Sequence, residues 1–235
     1  MRPLVVGHRG AAAHALENTT ASFEKAVKLG VDMIELDVHE SLDPEFIVIH
    51  DTHVGRISSR RDIVRQTHSR FLRSIELHEH QKLLTLCEAC ATIPKQVGLM
   101  VEIKTLRNLE RMAQLMEAEG QLREILLTSF DLSLLQRLQR ISPSLRLGVV
   151  SRTVANPSKA KSLGLEFHTV CLDFHCLTRP VMPRLKKEYG RVFAWTVDRQ
   201  RDIERVSQLG VDGIISNRPD EVHRILKNFQ ARGGH

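Results

Sequence analysis

In Met33-Ile34-Glu35-Leu36-Asp37-Val38-His39, polar and aliphatic residues alternate with the two-residue period of a strand. Glu35, Asp37 and His39 therefore share one face, and Ile34, Leu36 and Val38 the other. Burying carboxylates without compensation costs on the order of several kcal/mol each, so neighbouring inward acids call for a metal or bound cations. The alternative is an ordinary strand with its polar face in water. The pattern recurs in Leu99-Met100-Val101-Glu102-Ile103-Lys104, which adds a third carboxylate and a lysine on one face. Three carboxylates with open positions suit one hard divalent cation, magnesium or calcium, and suit zinc poorly. Lys104 is either the salt-bridge partner of Glu102 or a contact for a phosphate oxygen.

Two histidines are expected to end strands facing this cluster: His8 in Val5-Val6-Gly7-His8-Arg9-Gly10 and His50 in Ile47-Val48-Ile49-His50-Asp51. Imidazole titrates near neutral pH, so a pair beside a metal site reads as a general acid and base. Arg9 supplies a planar cation for carboxylate or phosphate, and Gly10 permits close backbone approach. Cys87-Glu-Ala-Cys90 spells C-x-x-C, but it lacks a second pair for zinc and lies in a stretch of helical spacing, which favours a structural reading.

The elements that must position these residues form a parallel α/β pattern, in which short Val- and Ile-rich runs alternate with segments of helical period. Strands are expected at 4–8, 31–38, 46–50, 98–104, 125–129, 145–150, 169–173, 192–197 and 213–216. Only residues 39–45 separate the second run from the third, too few for a parallel crossover, so these two form an antiparallel hairpin around Leu42-Asp43-Pro44. Eight strands remain for a (β/α)8 TIM barrel. Thr19 or Thr20 caps a first helix that stops at Gly30, and Asp131 caps another over 132–141 before Pro143. Further helices are expected near 83–93, 106–119, 158–163, 180–189, 200–209 and 219–229.

No low-complexity linker interrupts the chain, so residues 1–235 read as a single domain. Its insertion, 52–96, carries Arg56, Arg60, Arg61, Arg65, Arg70 and Arg73. Such insertions decorate the C-terminal face of barrels, where this one either roofs the site or is a solvated basic segment. The net charge is +6, from 34 Lys and Arg against 28 Asp and Glu, which favours anionic partners. Eight of the 12 histidines fall in the first 80 residues. No apolar run approaches the roughly 18 residues of a membrane span, and the four cysteines are too few for a disulfide framework, so a cytoplasmic protein is expected.

Taken together, His8-Arg9-Gly10, Glu17-Asn18-Thr19, Glu35-Leu36-Asp37-Val38, His50-Asp51, Glu102-Ile103-Lys104, Ser129-Phe130, Trp195-Thr196-Val197 and Gly213-Ile214-Ile215-Ser216 resemble the glycerophosphodiester phosphodiesterase family in order and approximate spacing, over residues 4–220. The resemblance implies a TIM barrel with a small insertion after the second strand. It also implies dependence on one divalent metal ion, Mg²⁺ or Ca²⁺, and hydrolysis of small glycerophosphodiesters to sn-glycerol 3-phosphate and an alcohol. Carried across, it makes Glu35, Asp37 and Glu102 the metal ligands and His8 and His50 the catalytic acid–base pair. Arg9 and Lys104 become phosphate contacts, Glu17 orients Arg9 or touches the metal, and Trp195 walls the glycerol moiety unless it is a core residue.

Four positions depart from the family pattern. Leu16 replaces the usual proline before Glu-Asn-Thr, Ser41-Leu42-Asp43-Pro44 replaces a Thr-Lys-Asp-Gly turn, Asp198 replaces an asparagine, and Asn217 replaces an aspartate. All leave the metal and acid–base positions intact, so specificity rather than activity is expected to differ. Two other readings are a lysophospholipase D-like enzyme, whose arginines over 52–73 make peripheral contact with anionic lipid, and a catalytically silent phosphate- or nucleic-acid-binding barrel. The complete acid, base and metal set disfavours the silent barrel. A nucleic-acid partner is also disfavoured, because the scattered aromatics (Phe 8, Trp 1, Tyr 1) form no stacking platform.

Overall fold

The computed structural model describes residues 2–231, so the single-domain expectation of 1–235 reaches beyond it at both ends. Among the described residues the strands are β1 (Leu4–Gly7), β2 (Met33–Glu40), β3 (Phe46–Val48), β4 (Leu84–Thr85), β5 (Gly98–Thr105), β6 (Ile125–Ser129), β7 (Leu147–Ser151), β8 (Thr169–Asp173), β9 (Arg191–Trp195) and β10 (Gly213–Ser216). They pair in the order β1-β10-β9-β8-β7-β6-β5-β2-β3-β4, and pairing of β1 with β2 closes eight of them into a parallel ring. With helices between its strands, this is a TIM barrel.

The predicted hairpin forms: β3 runs antiparallel to β2, with Val38 opposite Val48 and Glu40 opposite Phe46. Its turn docks on the insertion, since Asp43 accepts hydrogen bonds from the Ser69 amide at 2.7 Å and from the hydroxyls of Ser69 and Ser41 at 2.8 Å. Strand β4, which returns the insertion antiparallel to β3, was not expected, because two residues carry no periodicity.

Helices α1 (Thr20–Lys28), α2 (Ser69–Ser74), α3 (Leu86–Thr92), α4 (Leu109–Gly120), α5 (Leu132–Ile141), α6 (Ala155–Ser162), α7 (Met182–Tyr189), α8 (Gln200–Gln208) and α9 (Pro219–Ala231) complete the chain. Thr19 caps α1 and Asp131 caps α5, as their sequence positions predict. Ile34, Leu36 and Val38 point outward into the main core beneath the helices. Inside the ring, Val6, Met33, Met100, Leu126, Val150, Cys171, Phe193 and Ile215, one from each barrel strand, make an apolar plug. Gly213 leaves the space that Phe193 needs, since a Cβ there would meet its ring at 2.8 Å.

Two positions beyond each plug residue stand His8, Glu35, Glu102, Thr128, Arg152, Asp173, Trp195 and Asn217. By the strand period, these fall on the same side of the chain as the plug, at the C-terminal mouth. The plug thus places the next layer.

Val54, Ile57, Val64, Leu72, Ile75 and Leu83 of the insertion form an apolar cluster with Ile47 and Ile49 of the preceding segment, and Leu16 packs against it. The insertion is therefore folded onto the barrel rather than a solvated basic helix. Helix α3, by contrast, buries Leu86, Ala89 and Cys90 in the main core. Among the described residues no helix is long and apolar enough to cross a membrane.

Candidate active site

Glu35, Asp37 and Glu102 converge at the mouth, each offering one oxygen within 4.8 Å of the others. They meet because β2 and β5 are parallel and in register, with Asp37 beside Glu102. Asp37 is fully buried and held by Arg9 Nε at 3.2 Å, Lys104 Nζ at 2.9 Å and the Asn18 side-chain amide at 2.9 Å. Burial works to raise its pKa, but Lys104 and Arg9 overrule it and hold the carboxyl below its ordinary value.

Glu35 is the contrary case. Burial, then the charges of Asp37 and Glu102, push it well above the usual carboxylate range. Its Oε2 accepts the Arg9 amide at 2.9 Å, whereas its Oε1 is buried without a hydrogen-bond partner. Glu102 is raised in the same way, by burial foremost. An orphaned carboxylate oxygen among three converging acids is what a divalent cation would satisfy, and an all-oxygen set suits Mg²⁺ or Ca²⁺.

His8 and His50 both border the cavity of about 280 Å³ over this cluster, together with Arg9, Lys104, Phe130, Arg152 and Trp195. Both were expected to end strands, but β1 stops at Gly7 and β3 at Val48, so His8 and His50 lie just beyond the strand ends. Their ring orientations follow from their partners. Asn217 donates its amide to Asp198 at 2.7 Å, so its Oδ1, 2.7 Å from His8 Nδ1, accepts the proton there. His8 Nε2 is then the bare nitrogen, 3.9 Å from Glu35. Burial, then the neighbouring Arg9, lower the His8 pKa to about 4. His50 instead sets Nδ1 against the Asp51 carboxylate at 2.6 Å.

Glu17 contacts two cations. It accepts Arg9 at 2.8 Å and both terminal nitrogens of Arg56 at 2.8 and 2.6 Å. Arg56 also donates Nε to Asp51 at 2.7 Å, so one guanidinium from the insertion joins the loop carrying Glu17 to the partner of His50. Lys104 contacts both Asp37 and Glu102. Trp195 borders the cavity, donates its indole to the Cys171 carbonyl at 2.9 Å and stands edge-on to Phe130 at 5.6 Å, so it is both wall and partial core. Arg9, Gly10 and Asn18 carry positive φ of 51°, 88° and 57°. Gly10 does permit a close approach, but to helix α1: a Cβ there would lie 2.3 Å from the Ser22 hydroxyl.

The departures noted in the sequence acquire partners. Leu16 donates its amide to Glu79 of the insertion at 3.0 Å, a bond that proline would lack. Asp198 and Asn217, each the residue usual at the other's position, bind one another, so the exchange is reciprocal.

Sequence reasoning missed Arg56, Asp51 and Asn217 as working partners and left His39 open. His39 Nε2 donates to the His50 carbonyl at 3.0 Å, which leaves Nδ1 to accept from Thr105 at 3.0 Å and buttresses the His50 loop. Only the plug-plus-two rule would have found Asn217 and Arg152. The C-x-x-C pair lies on α3 with both thiols free; burial, then Glu119, push Cys90 up to about 12, which makes it a poor thiolate.

Residues 8–221 match the profile of the Glycerophosphoryl diester phosphodiesterase family. The chain is similar to the glycerophosphodiester phosphodiesterase of Caldanaerobacter subterraneus, at 28% identity over 247 aligned positions covering 100% of both chains. It is also similar to a human lysophospholipase D, at 21% identity over 96% of this chain and 87% of the relative. Among solved structures, an Oleispira antarctica phosphodiesterase in complex with its product sn-glycerol-3-phosphate shares the fold, with a TM-score of 0.87, 22% identity and coverage of 96% of this chain and 97% of the other.

Proposed function

The chain belongs to the glycerophosphoryl diester phosphodiesterase family, and from that premise we propose that it hydrolyses small glycerophosphodiesters to sn-glycerol 3-phosphate and an alcohol with one divalent cation and two histidines. The observation that carries this reading is the convergence of three carboxylates, two histidines and Arg9 on one cavity. Glu35, Asp37 and Glu102 would hold the cation, Mg²⁺ or Ca²⁺, whose chemistry there is to neutralise charge on the phosphodiester oxygens.

The protein's own residues divide the remaining work. Arg9, fixed by Glu17 and Asp37, presents a preorganised cation to the phosphate, and Lys104 does so from the opposite carboxylates. His8, whose Nδ1 proton is committed to neutral Asn217, takes a proton at Nε2 from the oxygen that attacks phosphorus; this oxygen belongs to water, or to the substrate's adjacent glycerol hydroxyl, in which case water then opens the resulting cyclic phosphate to sn-glycerol 3-phosphate. The bond from phosphorus to the leaving oxygen breaks, and that oxygen receives a proton from His50 Nε2. Asp51 at 2.6 Å supplies the countercharge for the His50 that carries it. Trp195 and Phe130 cover the apolar edge of the substrate.

The test compares leaving groups. A positioned acid or base contributes roughly 10²- to 10⁴-fold, so His8→Ala should lose about that much on every diester. His50→Ala should lose it with choline as leaving group and far less with p-nitrophenol, which departs unprotonated. Equal losses on both diesters would remove His50 as the acid, and near-normal turnover in both variants would end the two-histidine scheme. Activity that survives thorough chelation would refute the cation.

A second reading, lysophospholipid hydrolysis at an anionic surface, has one favouring feature: Phe71 on the insertion is 52% exposed beneath Arg70, with Arg61 and Arg65 exposed nearby in sequence. Choline release from lysophosphatidylcholine vesicles, measured against glycerophosphocholine, separates the two.

A further inference from the structure

Arg9, Lys104 and Arg56, the cations of the catalytic network, are each held by carboxylates: Arg9 by Glu17 and Asp37, Lys104 by Asp37 and Glu102, Arg56 by Glu17 and Asp51. Arg152 is different. It occupies the β7 place in the layer above the plug, two residues beyond Val150, and β7 lies four strands from β1 in the eight-strand ring, across the mouth from His8. It is exposed, borders the catalytic cavity and, among the described residues, belongs to no ion pair.

A second cavity of about 300 Å³ adjoins the first, sharing Phe130 and Arg152 with it and bordered otherwise by Ser151, Thr153 and Asn156. Among the described residues no acidic side chain borders this cavity. The Ser151 hydroxyl is occupied, donating to the Thr153 carbonyl at 2.7 Å and accepting the Thr153 amide at 3.0 Å. The charge on offer is therefore the guanidinium alone, beside the uncharged polar groups of Thr153 and Asn156.

From this we infer that the second cavity receives the leaving alcohol of the diester and that Arg152 selects alcohols carrying an anionic group over those carrying a quaternary ammonium. This rests on the reading of the reaction given above. A diester has one phosphate charge, which Arg9, Lys104 and the cation site already address. Arg152 borders both cavities, so its guanidinium stands at the junction between the phosphate's place and the second cavity, where it can pair with a carboxylate or second phosphate on the alcohol. A cationic alcohol would instead bring like charges together where no carboxylate in the cavity offsets them.

The experiment compares kcat/KM at low ionic strength for three diesters of glycerol 3-phosphate whose alcohols are glycerate, glycerol and choline. The expected order in the native protein is glycerate over glycerol over choline, with about a tenfold ratio between the extremes, the scale of a single charge contact in a partly desolvated site. Arg152→Gln should bring that ratio close to one, and Arg152→Glu should invert it, which a merely damaged fold would not do. A ratio untouched by either substitution overturns the inference. An equal loss on all three diesters does so as well, since it would place Arg152 on the scissile phosphate. Calorimetric binding of free glycerate to protein saturated with sn-glycerol 3-phosphate gives a readout apart from turnover. If no diester is hydrolysed yet glycerate binds and Arg152→Glu abolishes that binding, the reaction reading fails and the subsite stands. If diesters are hydrolysed without charge preference, the subsite fails alone.

Discussion

Glu35 sits where a lone carboxylate is least tolerable: buried, between two other acids, with one oxygen unpartnered. Its neutral isostere should relieve that conflict in the metal-free protein, and the same change should remove a ligand. Metal-free Glu35→Gln is therefore expected to melt above the metal-free native protein. A cation at about 100 times its dissociation constant, worth roughly 2.7 kcal/mol, should raise the native melting temperature by about 5–10 °C but leave the variant nearly unmoved. A native protein whose melting is indifferent to Mg²⁺ and Ca²⁺ would contradict the site.

The Asp198–Asn217 exchange makes a second prediction at this scale. Asn217→Asp alone sets two carboxylates at the 2.7 Å contact now made by an amide, at a cost of about 1–3 kcal/mol, and adding Asp198→Asn should restore most of it. Denaturant unfolding of the single and double variants measures the coupling. Additive effects would mean that the contact carries no energy of its own.

At the scale of elements, the insertion acts on the site through Arg56, the last residue of a 3₁₀ turn over Val54–Arg56. The cluster around Val54 and Ile57 anchors that turn, and the guanidinium then spans Glu17 and Asp51. Supporting partners of this kind are typically worth 10- to 100-fold in activity. Arg56→Ala should accordingly lower kcat by about that factor with a smaller change in KM, and guanidinium ion in the assay should restore part of it. Loss of KM alone, or absence of rescue, would assign Arg56 to substrate binding or to folding instead.

The sign of the Asp51 shift agrees with this geometry. Burial opposes ionisation, but hydrogen bonds from Arg56 and His50 bring the carboxyl down to about 2. A depressed carboxylate stabilises the fold at pH values above its unfolded value near 4, and that contribution disappears as pH falls toward 2.

For the molecule as a whole, a charge of +6 and an exposed arginine, Arg152, at the mouth should draw anionic diesters inward. Raising ionic strength from 0.01 to 0.15 M shortens the screening length from about 30 to about 8 Å, so kcat/KM for an anionic diester should fall several-fold while kcat changes little. A salt-independent kcat/KM would show that the net charge has no part in capture.

The alternation in β2 and β5 was enough to place Glu35, Asp37, Glu102 and Lys104 together, because a strand's period and the parallel barrel leave little freedom in where such residues point. The short spacing of 39–45 was enough for the hairpin, and Thr19 and Asp131 for two helix starts. These are local consequences of backbone geometry, readable from residue order. What only the tertiary structure decided depends on contacts between distant parts of the chain. Arg56 meets Glu17 across 39 positions, Asn217 meets His8 across 209, and among the described residues Arg152 lacks the ion-pair partner that Arg9, Lys104 and Arg56 have found. A side chain's charge is written in the sequence, but whether folding neutralises it depends on which neighbours closure of the barrel brings within reach.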